Sequence, residues 1–95
     1  MTEAVLNYLI EHREEQLDAL NDFLRIPSVS TDSKFKTDIR DAAQFVADYL
    51  SEIGFNNVEI EETKGHPLVY GEWLEAGEDA PTVLVYGHYD VQPAD

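Results

Sequence analysis

The stretch Thr82-Val83-Leu84-Val85-Tyr86-Gly87-His88-Tyr89-Asp90-Val91-Gln92-Pro93 runs from an apolar segment directly into a His-x-Asp pair and then a proline. Residues 83–86 are apolar at consecutive positions, the pattern of a strand covered on both faces, as at the centre of an α/β sheet. Ligands of α/β sheets bind beyond the carboxyl ends of strands, which is where His88 falls. In an extended chain, residues two apart project to the same side, so the Asp90 carboxylate is placed to hold one imidazole nitrogen while the other faces a metal. An alternative stands beside this one: His88 as a hydrogen-bonded histidine at a strand end, with Asp90 forming a turn ahead of Pro93.

Upstream of that segment the period changes twice. Over residues 3–24 the apolar residues Leu6, Leu9, Ile10, Leu17, Leu20, Phe23 and Leu24 fall close to a helical stripe that Arg13 interrupts, with Thr2 as the expected cap. Pro27 turns Ile26 away from helical angles, so this helix is expected to end near Arg25 and give way to a loop over 28–33. A second helix is expected from a cap at Asp38, with Ile39, Ala42, Ala43, Val46, Tyr49, Leu50 and Ile53 as its stripe and Gly54 as its stop. Beyond Gly54, Val58 and Ile60 alternate with Glu59 and Glu61, as in a half-exposed strand. Lys64-Gly65-His66-Pro67 reads as a turn, 68–74 as a second strand with Gly71 as a bulge, and 75–81 as an acidic loop. The expected fold class is therefore α/β, with two helices packed on a short mixed sheet.

Composition narrows the function classes. Twenty acidic against six basic residues give 95 residues a formal charge of −14. That charge opposes binding to nucleic acid or to an anionic membrane surface. The absence of cysteine removes disulfides and thiolate metal sites, so any metal would be held by histidine and carboxylate. The N-terminus lacks the basic and apolar regions of a signal peptide, and no apolar run approaches a membrane span, which makes a cytoplasmic location the expectation. A chain of this length buries only about 60–65% of its unfolded surface, so its core is expected to be thin.

Of the other two histidines, His12 lies in a polar part of the first helix and is expected to face solvent. His66 sits in a Gly-Pro turn, a structural position whose loop would approach a site only in a larger protein. No Gly-x-Ser-x-Gly occurs, and Ser28, Ser30, Ser33 and Ser51 have no nearby base, so a serine nucleophile is not indicated.

Two motifs in order carry a resemblance. Leu24-Arg25-Ile26-Pro27-Ser28-Val29-Ser30 after a long first helix, followed by Tyr86-Gly87-His88-Tyr89-Asp90-Val91-Gln92-Pro93, resembles the N-terminal part of the co-catalytic zinc exopeptidases. That family holds the carnosine dipeptidases, aminoacylases, succinyl-diaminopimelate desuccinylase and glutamate carboxypeptidases, and the Gly-His-x-Asp-Val-Gln-Pro form is most similar to the dipeptidase branch. The resemblance implies that residues 1–95 are the N-terminal portion of one three-layer α/β/α catalytic domain. The rest of that domain, and the inserted lid or dimerisation domain, would lie beyond Asp95.

It implies further that His88 is a ligand to one of two zinc ions and that Asp90 is the catalytic residue orienting and polarising it. A bridging aspartate, a Glu-Glu pair, another carboxylate and a distal histidine would be supplied from beyond Asp95. Manganese or cobalt would suit the same nitrogen and oxygen donors. The implied reaction is hydrolysis of a dipeptide or an N-acyl amino acid by a metal-activated water, in a parent that is a homodimer in some family members. The Ile26–Ser30 motif carries no implied catalytic role and is expected to pack the first helix against the sheet. With one clear ligand, residues 1–95 alone are expected to bind zinc weakly and to hydrolyse nothing. Two further readings are a self-contained acidic binding module and a non-catalytic relative using the same scaffold.

Overall fold

In the computed structural model, residues 2–94 are described. Helix α1 (Thr2–Glu11) and helix α2 (Arg13–Leu24) follow one another, where the sequence predicts one helix. His12 separates them with φ −105° and ψ 16°, yet the chain stays hydrogen-bonded through it, His12 N to Tyr8 O and Gln16 N to His12 O each at 3.0 Å. Two local contacts hold this bend. The His12 ring stacks on Tyr8 at 4.1 Å, and its Nδ1 lies 3.0 Å from Glu15 Oε2. His12 is therefore half-buried rather than solvent-facing, and Thr2 is the first residue of α1 rather than its cap.

Helix α3 (Lys36–Glu52) enters through a single 3-10 turn, Ser33–Phe35. Asp32 caps that turn, its carboxylate accepting from the Lys34 amide at 3.0 Å. The cap thus lies six residues before the expected Asp38, because the short turn begins the helical path earlier than the apolar stripe does. Ile39, Ala42, Ala43 and Ala47 are its buried residues, whereas Tyr49 and Ile53 of the expected stripe are exposed. Gly54 ends the helix with φ +100°, a left-handed conformation that a side chain would disfavour.

Strands β1 (Asn56–Glu61) and β2 (Leu68–Glu72) form a two-stranded antiparallel sheet. Glu59 faces Tyr70, Ile60 faces Val69 and Glu61 faces Leu68, while the next pair is Asn56 with Glu72. Asn57 and Val58 therefore stand together opposite Gly71, so the bulge belongs to β1, and Gly71 is the single residue across from it. Asn57 takes the positive φ of 52° that the extra residue requires. A Cβ on Gly71 would come within 3.2 Å of both Leu50 Cδ1 and Phe55 Cδ2, which explains a glycine where α3 crosses the sheet.

Helix α3 packs on both strands, and Phe23 of α2 meets Phe45 of α3 at 5.5 Å. The core is thin, as expected: Val29, Ile39, Ala42, Ala43 and Ala47 are its buried apolar residues, with Ser28 beside them.

The expected third strand is not formed. Residues 83–86 are 82–90% exposed and pair with no strand among the described residues. Extended apolar chain becomes a strand only when a neighbour offers ladder partners, and among the described residues this region pairs through one parallel bridge, between Val29 and Val91. The ladder itself is antiparallel, and parallel geometry, the other half of the expected mixed sheet, is confined to that bridge. Among the described residues no helix is long and apolar enough to cross a membrane.

An exposed ion pair ties helix to hairpin. Arg40 on α3 donates through both terminal nitrogens to Glu62, at 2.9 and 2.6 Å, just beyond β1. The hydrogen bond from Arg40 pulls the Glu62 carboxyl below its ordinary value of 4.5, with desolvation opposing it and the Arg40 charge adding to it. A depressed carboxyl stabilises the fold above its unfolded value and loses that contribution as pH falls through the folded value. Glu62→Gln is therefore expected to be slightly less stable than wild type at pH 7, with the difference shrinking as pH falls through the folded value of the Glu62 carboxyl. High salt should also narrow the gap, as seen by comparing urea midpoints, because the pair is solvent-exposed.

Candidate metal-binding site

The motifs singled out in the sequence, 24–30 and 86–93, meet in space. The Val29–Val91 bridge is closed by Val91 N donating to Ser28 O at 2.9 Å. Buried Ser28 donates its hydroxyl to Tyr89 O at 2.9 Å. The Ile26–Ser30 motif thus docks against the His-x-Asp segment rather than packing the first helix on the two-stranded sheet. In the bridge, Ser30 follows Val29 and Asp90 precedes Val91, so both side chains leave on the same face. Ser30 Oγ donates to Asp90 Oδ2 at 2.5 Å.

The other carboxylate oxygen, Asp90 Oδ1, lies 2.8 Å from His88 Nδ1. A carboxylate only accepts, so Nδ1 carries a proton, and in the neutral form of the ring Nε2 is the nitrogen that keeps its lone pair. The His88 side chain is 74% exposed, which leaves that lone pair open to solvent. Hydrogen bonds from Ser30, the larger influence, and from His88 hold the Asp90 carboxyl below its usual range, with partial desolvation opposing them.

The turn over 63–67 closes the arrangement from the other side. Thr63 Oγ1 accepts from the Gly65 amide at 3.0 Å and donates to His66 O at 2.7 Å. From this turn, His66 Nε2 donates to Ser30 O at 2.8 Å. Tyr89 in turn donates its hydroxyl to Pro67 O at 2.6 Å. Burial, followed by the neighbouring Asp90, raises the Tyr89 phenol above its ordinary value. His66 therefore sits beside the His88 segment as a backbone anchor. No composition signal marked Ser30 or His66, because their contacts span 60 and 36 residues of chain.

The structure brings together His88 and Asp90, and it keeps His12 apart, in a groove between α1–α2 and α3 lined also by Tyr8, Glu15, Tyr49 and Glu52. Among the described residues, no three His, Asp or Glu side chains converge as a complete metal cage. The donor set fits one position of a metal centre: an imidazole with one nitrogen fixed by a carboxylate and the other free, the usual form of a histidine ligand. Such a nitrogen donor suits zinc, manganese or cobalt.

Comparison with known proteins bears on this motif pair. No family model matches the chain. The Cys-Gly metallodipeptidase DUG1 of Candida albicans is 34% identical over 98 aligned residues, which cover 88% of this chain and 20% of that protein. The Cys-Gly metallodipeptidase DUG1 of Saccharomyces cerevisiae is 33% identical over 82 residues, covering 75% of this chain and 17% of its own length. The corresponding protein of Schizosaccharomyces pombe is 30% identical over 93 residues, with coverage of 86% and 19%. A solved structure of the dipeptidase Dug1p from Saccharomyces cerevisiae matches 97% of this chain and 21% of that chain with a TM-score of 0.85 at 28% identity. This chain thus spans about one fifth of the length of the curated relatives it matches. Agreement in sequence and in fold, across nearly all of the chain, places it in the metallodipeptidase family.

Proposed function

We propose that this chain contributes one ligand and its orienting carboxylate to the catalytic domain of a metal-dependent dipeptidase. The Nδ1 bond from His88 to Asp90 carries this reading, because in the neutral ring it leaves Nε2 as an oriented donor in the segment that resembles the exopeptidase motif. His88 would hold the metal through Nε2, and Asp90 would fix the tautomer and the ring plane. A bound divalent metal, taken here as one of two zinc ions with manganese or cobalt as substitutes, supplies a polarised carbonyl and an activated water at neutral pH. The substrate class is a dipeptide, with Cys-Gly, named for the relatives, as the leading candidate and N-acyl amino acids as a broader set. A homodimeric, cytoplasmic enzyme completes the proposal, with residues 1–95 as the N-terminal portion of a single catalytic domain that carries an inserted lid or dimerisation domain.

The exposed apolar segment 83–86 favours this reading over a self-contained acidic module, since a complete small domain would cover such a run. Chelation gives the direct test. Hydrolysis of Cys-Gly by the full-length enzyme should vanish on removal of divalent metal and return on adding zinc, manganese or cobalt, whereas residues 1–95 alone should show no turnover. Full activity in a metal-free preparation would sink the metallohydrolase reading.

A further inference from the structure

We propose that Ser30 is a positioning residue for the His88 imidazole, acting through Asp90; the proposal rests on the reading of His88 as a metal ligand. A carboxylate has two oxygens and rotates about its terminal bond, so one hydrogen bond to His88 does not fix its plane. Ser30 supplies the second restraint, on Oδ2, while Oδ1 serves His88. The hydroxyl is itself preorganised, because the Ser30 backbone is held on both sides. Val29 bridges to Val91 before it, and its own carbonyl accepts from His66. The relay therefore runs from the 63–67 turn, through Ser30 and Asp90, to the imidazole.

Other uses of the hydroxyl fit less well. Ser30 is not buried enough to need a partner for its own sake, and its acceptor is the same carboxylate that is hydrogen-bonded to the candidate ligand, in a bond of the strong, charge-assisted kind. Loss of this hydroxyl should leave Asp90 free to turn, and His88 free to exchange tautomers.

The test is made on the full-length protein with Ser30→Ala, Ser30→Cys and Ser30→Thr. One readout is the His88 tautomer, taken from nitrogen NMR of histidine-labelled apoprotein near pH 8, where an ordinary imidazole is uncharged. The other is affinity for zinc alone, by competition with a chelator. Removing a group that directly orients a histidine ligand costs roughly 10- to 100-fold in metal affinity. Ser30→Ala, one bond further out, should weaken zinc by about 3- to 10-fold and mix the His88 tautomers.

Ser30→Thr keeps the hydroxyl and should restore both readouts, and Ser30→Cys, a weaker donor, should fall between. A wild-type tautomer and affinity in Ser30→Ala would overturn the proposal. So would a threonine variant as impaired as alanine, or, if alanine does not fold, a cysteine variant equal to wild type. If His88→Ala also leaves zinc affinity unchanged, the metal reading fails, and the tautomer alone then decides whether Ser30 governs the Asp90–His88 pair.

Discussion

Replacing His88 with alanine in the full-length protein is expected to abolish zinc retention and dipeptide hydrolysis together, by more than the roughly 100-fold that follows loss of a group which merely orients a ligand. The size follows from the count of donors: a catalytic zinc site has about three protein ligands, and deleting one opens the centre to solvent and to loss of the metal. Fold should be spared, because the His88 side chain is largely exposed and its ring is hydrogen-bonded to Asp90 rather than packed in the core. The measurement is metal content by elemental analysis alongside kcat/KM for Cys-Gly under matched metal loading, with thermal unfolding as control. Retained metal and retained activity would return His88 to the role of a hydrogen-bonded strand-end histidine. Asp90→Asn separates the two roles: an amide still bonds the imidazole but carries no charge, so a smaller loss of about 10- to 100-fold is expected.

Local signals were legible where a residue's neighbours in sequence are also its neighbours in space. Gly54 stops α3 as read, since a positive φ at a helix end is a demand of the local backbone. The Ile39, Ala42 and Ala43 stripe and the alternation around Val58 and Ile60 likewise gave α3 and β1. Signals that carry no apolar period, or that depend on distant chain, were not legible. The bend at His12 comes from an aromatic stack and a Glu15 contact that a periodicity reading passes over. The Asp32 cap was hidden by a 3-10 turn with no apolar period of its own. For 83–86 the apolar run reported a burial that these residues do not achieve by themselves. At the site, the His88–Asp90 spacing was readable because two residues of extended chain suffice to define it. Ser30 and His66 reach the same place only through a parallel bridge and a turn, which no local pattern announces.

The stability of the whole arrangement hangs on α3, and Ile39→Ala is expected to show it. Ile39 is 1% exposed and is the largest of the buried apolar side chains; its buried companions on α3 are alanines. Truncating a buried isoleucine to alanine costs about 2–5 kcal/mol, and the upper part of that range applies where neighbours cannot collapse into the gap. Against a typical stability of about 5–15 kcal/mol, such a loss is a large share. The expected result is a marked fall in the urea midpoint with little change in slope, whereas Ile39→Val should lose only about 0.5–1.5 kcal/mol. The consequence extends to the site, because α3 seats the β1–β2 hairpin, the 63–67 turn joins those two strands, and that turn carries the His66 and Pro67 contacts to Ser30 and Tyr89. Ile39→Ala should therefore loosen zinc binding well before global unfolding, in parallel with the midpoint. Wild-type zinc affinity in a clearly destabilised Ile39→Ala protein would show that the contacts of residues 28–30 hold the His88 segment without help from the hairpin turn.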